Sequence, residues 1–174
     1  GLNSPAAIDN DVYFLGGDGV VYRMVGYQTA RISHHAIETF LRKQSLTDLQ
    51  NAVGFSITYE GHYWYILSVA NGTFAFDVTT SRAMQSHQWF QLKSVDQENW
   101  RVTSSIDVYG KILMGDSLGY ITELDAETFN ELGNTQLKQR TTGYYHQERN
   151  PITPSRIKLA FNQGVGNSSV TNPE

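Results

Sequence analysis

The stretch that decides the fold runs from Asp11 to Met24, DVYFLGGDGVVYRM. Val12, Tyr13, Phe14 and Leu15 are β-branched, aromatic or aliphatic, residue types that suit a pleated, half-buried surface. Gly16-Gly17-Asp18-Gly19 follows, and Val20 to Met24 returns. Gly-Gly and Asp-Gly pairs favour tight hairpin turns because those turns need positive φ, which glycine reaches without steric cost. The segment predicts a β-hairpin.

The pattern comes back twice. Tyr63 to Leu67 leads through Asn71-Gly72 to Thr73–Val78, and Lys111 to Met114 leads through Gly115-Asp116-Ser117-Leu118-Gly119 to Tyr120–Asp125. The last glycines of the three turns, Gly19, Gly72 and Gly119, stand 53 and 47 residues apart. A further strand precedes the second and third units, over Gly54–Tyr59 before Glu60-Gly61 and over Thr103–Tyr109 before Gly110. Each of these units reads as a three-strand meander with room for a fourth strand in the connection. A period near 40–50 residues with about four strands per repeat is the signature of β-propeller blades. The expected fold is therefore all-β, with about three propeller-like blades and a short helical insertion.

The insertion accounts for the longer first interval. Ser33 to Phe40 reads as an N-cap serine followed by one or two helical turns, with Ile37, Phe40 and Leu41 on one face. A second short helix is expected over Thr47–Asn51, and Gln85 to Trp100 reads as an outer strand and loop joining blades. Residues 1–10 read as a leader without periodicity, 11–166 as the propeller-like part of a larger chain, and 167–174 as a polar tail. Near the end, Ile157, Leu159 and Phe161 alternate with Arg156, Lys158 and Ala160, the pattern of a half-buried strand that would open a further blade.

Composition narrows the function. The chain has 174 residues, 40% hydrophobic and 12% aromatic, enough apolar material for a packed core. Only 17% of residues are charged, below the roughly 25% usual for soluble domains, which points to surface covered by other protein. A net charge of −4 argues against coating nucleic acid or an anionic membrane. The absence of cysteine excludes disulfides, thiolate zinc sites and cysteine nucleophiles. No stretch approaches the roughly 20 apolar residues of a membrane span.

Few residues invite chemistry. His34 and Glu38 stand at i,i+4 beside His35 and would reach one ion, but the pattern lacks the second helical histidine of zinc proteases. The simpler reading places the histidines at a helix start, with Glu38 solvated or in local hydrogen bonds. Asp18, Asp77, Asp107, Asp116 and Asp125 fall at turns or strand ends, where aspartate caps backbone N–H groups. A glycosidase would need two of them facing a sugar. Arg42-Lys43 and the later Lys138, Arg140, Arg149, Arg156 and Lys158 are scattered among acids, unlike a groove for nucleic acid. Gly16 to Gly19 joins two strands, the wrong context for a phosphate loop. Of the aromatic residues, Trp64 belongs with the core, whereas Trp89, Tyr144 and Tyr145 are candidates for a contact surface with a partner.

Several stretches in order resemble the packaged-DNA stabilization proteins of short-tailed bacteriophages. They are Ile32–Glu38, Ala52–Phe55, Tyr59–His62 followed by Tyr63–Leu67, Asp107–Lys111, Met114–Asp116 and Ile121–Asp125. Arg140–Thr142 with His146, Lys158–Phe161 and Gly164–Gly166 continue the match, which covers roughly Asp11 to Gly166. The resemblance implies a piece of a larger virion protein, assembled in the host cytoplasm into a ring of copies in the tail. It implies contacts with neighbouring tail and portal-associated proteins, closure of the portal channel after packaging, and a later share in the exit conduit. It implies no cofactor and supplies no catalytic residues. The competing expectation from the residues alone is a glycan- or host-receptor-binding propeller.

Overall fold

The computed structural model describes residues 2–95, 97–128 and 130–141, with positions 153, 156 and 158. It divides into two compact units, Gly1–Ala126 and Glu127–Glu174. The first unit holds three antiparallel sheets. Strands β1 (Ala6–Ile8), β2 (Asp11–Leu15), β3 (Val21–Val25) and β4 (Gln28–Arg31) form the first, in sequence order. Helices α1 (His35–Arg42) and α2 (Leu46–Gln50) follow. The second sheet comprises β5 (Val53–Tyr59), β6 (His62–Val69), β7 (Gly72–Asp77) and β8 (Trp89–Leu92), with helix α3 (Val78–Met84) between its last two strands. The third comprises β9 (Val102–Val108), β10 (Lys111–Asp116) and β11 (Ile121–Glu123). In the second unit the described residues form one short hairpin, β12 (Asn130–Glu131) with β13 (Asn134–Thr135).

The three expected blades are thus present as meanders, two of them with four strands. The joint between the first two strands is the same in each sheet. Asp9-Asn10, Glu60-Gly61 and Tyr109-Gly110 all have positive φ at both positions, the two-residue turn whose twist matches the strands it joins. These turns recur every 51 and 49 residues, a more regular period than the glycines chosen from sequence. The first of them was hidden in the supposed leader. Residues 6–8 are a strand, paired Ala6 to Tyr13 and Ile8 to Asp11, so that segment is part of the first sheet.

Register alternation tells which side of each sheet faces what. Counting from the residue after each turn, Tyr13 and Leu15 correspond to Trp64 and Ile66, and to Leu113 and Gly115. These residues define a forward face; Val12 and Phe14, Tyr63 and Tyr65, and Ile112 and Met114 define a backward face. The forward face of the first sheet packs on the backward face of the second, joining Tyr13, Leu15 and Val21 to Tyr65, Leu67 and Phe76 in one core cluster. The forward face of the second sheet packs on the backward face of the third, joining Phe55, Ile57 and Ile66 to Val102 and Met114. Strands β6 and β7 thus send alternate residues into the two inter-sheet cores, as a period-2 pattern requires.

The helices cover one end of the first cluster. Ile37 and Leu41 of α1 are buried in it and Phe40 meets Phe74 edge-on at 4.9 Å, so the helical face was read correctly. The cap was not: His34 is the N-cap residue, and Ser33 turns inward. Helix α2 begins at a capping box, Ser45 with Asp48, one residue earlier than expected. Helix α3 was not foreseen, because Thr73–Val78 reads as one strand. The strand stops at Asp77, whose carboxylate accepts from the Thr80 N–H at 2.8 Å and starts the helix.

Candidate functional site

The most buried charge belongs to α1. Glu38 is 1% exposed, yet its carboxylate is fully engaged. Arg31 on β4 reaches it twice, through Nε and Nη2 at 2.6 Å, a bidentate fork. The Ser33 hydroxyl donates to it at 2.8 Å and accepts from the Val21 N–H at 3.0 Å, while Arg42 stands 3.6 Å away one turn on. Burial works against ionisation of Glu38, but the hydrogen bonds from Ser33 and Arg31 and the two guanidinium charges outweigh it and hold its pKa below the usual carboxylate range. Glu38 is therefore a clamp between helix and first sheet and is not solvated. Both neighbouring histidines, His34 and His35, are exposed. Among the described residues no three His, Asp or Glu side chains converge on a metal position.

A second network was missed from sequence. Buried Asp11 at the start of β2 accepts from Arg23 at 2.6 Å and lies 3.2 Å from Arg82 of α3. Arg82 also pairs with Asp9 in the first turn at 2.5 Å. It thereby ties the second sheet to the turn of the first. A small cleft of about 220 Å³ opens beside it, lined among others by Tyr13, Arg23, Phe76, Arg82 and His87. Only the spatial pairing of elements 71 residues apart reveals this site, since each member is an isolated charge in the chain.

Three of the five candidate carboxylates serve the backbone. Asp18 accepts from Tyr22 Oη at 2.6 Å and from the Val20 N–H at 3.2 Å. Asp116 accepts from the Leu118 and Tyr120 N–H groups at 2.8 and 2.9 Å, closing the β10–β11 turn. Asp77 caps α3, takes the Thr80 hydroxyl at 2.7 Å and lies 2.8 Å from His62 Nδ1. Burial raises its pKa, but the Thr80 and His62 hydrogen bonds prevail and lower it. Asp107 is exposed on β9, and Asp125 follows β11 in an exposed position.

The aromatic candidates divide. Trp89 is half-buried: its indole N–H donates to the Ile32 carbonyl at 2.9 Å and its ring lies 5.0 Å from Phe76, which fastens β8 to the end of β4. Tyr144 and Tyr145 lie outside the described residues. Trp64 packs between Tyr59 and Phe90, and Trp100 stacks on Phe55, both in the second core cluster. Sequence reading passed over two other aromatics, Tyr27 and Tyr109, which stand on hairpin tips fully open to solvent. Tyr109 holds φ at 56°, a left-handed conformation costing a bulky residue roughly 1–2 kcal/mol, at 96% exposure. Antiparallel alternation puts the β3–β4 turn with Tyr27 at the same end of its sheet as the Asp9-Asn10 turn that Arg82 grips. Tyr109 lies in the equivalent first turn of the third sheet.

Three antiparallel meanders stacked face to face define a β-propeller-like scaffold. The comparison with known families gives its lineage. Residues 1–129 match the phage-stabilisation family described as "Bacteriophage P22 Gp10, beta-propeller", and the chain belongs to that family. It is a structural protein of the phage tail that stabilises packaged DNA, a component of the virion that assembles with other phage proteins. A comparison with curated proteins gave no significant match. Among the described residues no helix is long and apolar enough to cross a membrane.

Proposed function

We propose that this chain helps plug the portal channel after packaging and connects the portal to the distal tail, as part of a ring of its own copies built in the host cytoplasm. Contacts to neighbouring tail and portal-associated proteins would run through the hairpin tips that carry Tyr27 and Tyr109, with Trp89, Tyr144 and Tyr145 as further contact residues. No cofactor and no catalytic step enter the reading.

The observation that carries it is how the polar groups are used. Glu38, Asp11, Asp18, Asp77 and Asp116 all hold the sheets, turns and helices in place. Such a rigid stack suits a load-bearing part, and the modest net charge of −4 suits a wall past which DNA must move without sticking. Cross-linking mass spectrometry on intact tails tests the placement. Cross-links from the β3–β4 and β9–β10 tips to portal-proximal proteins are expected. Cross-links confined to a distal receptor-binding tip would move the chain to host recognition.

A further inference from the structure

The cleft of about 220 Å³ beside Arg82 is lined by hydrogen-bond donors without a facing acid. Arg23 and Arg82 give it two guanidinium groups, while their partners Asp9 and Asp11 are not among the residues that line it. Arg23 spends Nε and Nη2 on Asp11, and Arg82 spends Nη1 on Asp9 and Nη2 on Asp11. A guanidinium has five N–H groups, so both side chains keep donors to spare. Apart from Tyr13, the other titratable side chain on the cleft is His87, exposed and edge-on to Phe76 at 6.0 Å.

Tyr13 decides what the cleft can take. Its side chain is fully buried, yet its hydroxyl has no hydrogen-bond partner among the described residues. Burial pushes its pKa up, so it stays a neutral O–H donor, with Arg23 and Arg82 near enough to act on it electrostatically. A buried donor left unbonded is costly, and an acceptor placed in the cleft removes that cost. Ile32, Phe76 and Val78 add an apolar wall beside these donors.

We infer that this cleft binds a carboxylate on a short apolar stem, its oxygens taken by the Tyr13 hydroxyl and the spare N–H groups of Arg23 and Arg82. The planar guanidinium fork matches a planar carboxylate, and two cationic groups with no facing acid favour a negative charge. The apolar wall favours a carboxylate with a hydrocarbon stem over a bare phosphate, which has no apolar part to bury. The volume lies below the roughly 300–1,000 Å³ of pockets for drug-sized ligands, so the occupant has the size of a side chain or a short aliphatic acid. A free aliphatic carboxylate and a protein Asp or Glu side chain present the same chemistry. The site is built wholly from the first two sheets and their helix α3, and so does not depend on what the chain assembles with.

Nuclear magnetic resonance titration of the 174-residue chain, labelled at arginine and histidine, tests this with sodium butyrate, butyramide and inorganic phosphate as probes. Butyrate is expected to bind saturably and to move the Arg23, Arg82 and His87 signals, with butyramide and phosphate at least about tenfold weaker. Tyr13→Phe keeps the ring and is expected to weaken butyrate by at least about fivefold. Its melting temperature should not fall, because the hydroxyl it removes has no partner in the fold. Absence of a saturable shift, equal binding of butyramide or phosphate, or unchanged butyrate affinity in Tyr13→Phe overturns the inference. A Tyr13→Phe chain that melts lower also overturns it, since the hydroxyl is then already used within the fold. The same signals in the full-length protein separate the two sources. Signals that butyrate still moves assign the site to a free small carboxylate. Signals already at their butyrate-saturated positions assign it to an Asp or Glu side chain of the protein, and signals at neither position overturn the inference.

Discussion

Tyr65 and Ser4 are 61 residues apart in sequence, and the Tyr65 hydroxyl donates to the Ser4 carbonyl at 2.8 Å deep in the first core. The same serine accepts from the Leu15 N–H through its hydroxyl at 3.1 Å, so one residue is bonded to both the first and the second sheet. Asn3 adds a backbone bond from Gly54 at 2.8 Å. The amino-terminal segment is thus a seam between two blades. Burial alone pushes the Tyr65 hydroxyl pKa far above its ordinary value, so it stays a neutral donor.

The seam predicts a sharp steric effect at Gly54. A Cβ there would lie 1.9 Å from the Ser4 carbonyl oxygen, a backbone atom that cannot swing aside. Gly54→Ala is expected to cost at least about 1–3 kcal/mol, as overpacking does, and to detach residues 3–8 from the second sheet. Chemical denaturation gives the cost, and faster amide exchange at Leu15 locates it. An unchanged midpoint would show that the segment is not held against Gly54.

Tyr65→Phe keeps the ring and removes the donor. Its expected cost is about 1 kcal/mol, the net worth of one buried hydrogen bond plus a carbonyl left short of a partner. The change should leave the Tyr13–Tyr65 ring contact at 5.7 Å intact, so near-ultraviolet dichroism should change little.

Glu38 couples stability to pH. Its folded pKa lies below that of the unfolded chain, about 4.3, so its stabilisation is complete above that value and disappears as pH falls through the folded pKa. Asp77 acts in the same direction from an unfolded value of about 3.9. Melting temperature should therefore decline below about pH 4 in the wild type. Glu38→Gln should be less stable at pH 7 by on the order of 1–3 kcal/mol and show a flatter acid limb. The cost stays moderate because Arg31 and Arg42, both more than half exposed, can return to water.

Asp77→Ala removes the cap of α3 and the partner of His62. A loss of about 0.5–2 kcal/mol is expected at neutral pH. A variant as stable as wild type would separate α3 from its assigned start signal.

The repeated β-meander was legible in the chain because its evidence is local: alternating apolar residues and glycine turns within a few positions. Tyr13, Trp64 and Met114 all fell within strands read correctly. What escaped depends on distant partners. Residues 6–8 carry too short a pattern to announce a strand until β2 supplies its hydrogen bonds. Helix α3 follows β7 without a break in residue type, and only the Asp77 cap separates them. Glu38 looks like any surface glutamate until Arg31 and Ser33, seven and five residues earlier, fold over it. The Asp11–Arg23–Arg82 network has no sequence signature for the same reason. Trp89 looked free in sequence because its partner Ile32 lies 57 residues away.

The central claim is tested most directly by nuclease protection of packaged DNA in particles of the encoding phage that lack the full-length gene. The account predicts heads that fill and then leak DNA, with retention restored when the full-length protein is supplied. Normal retention accompanied by lost adsorption to the host would contradict it.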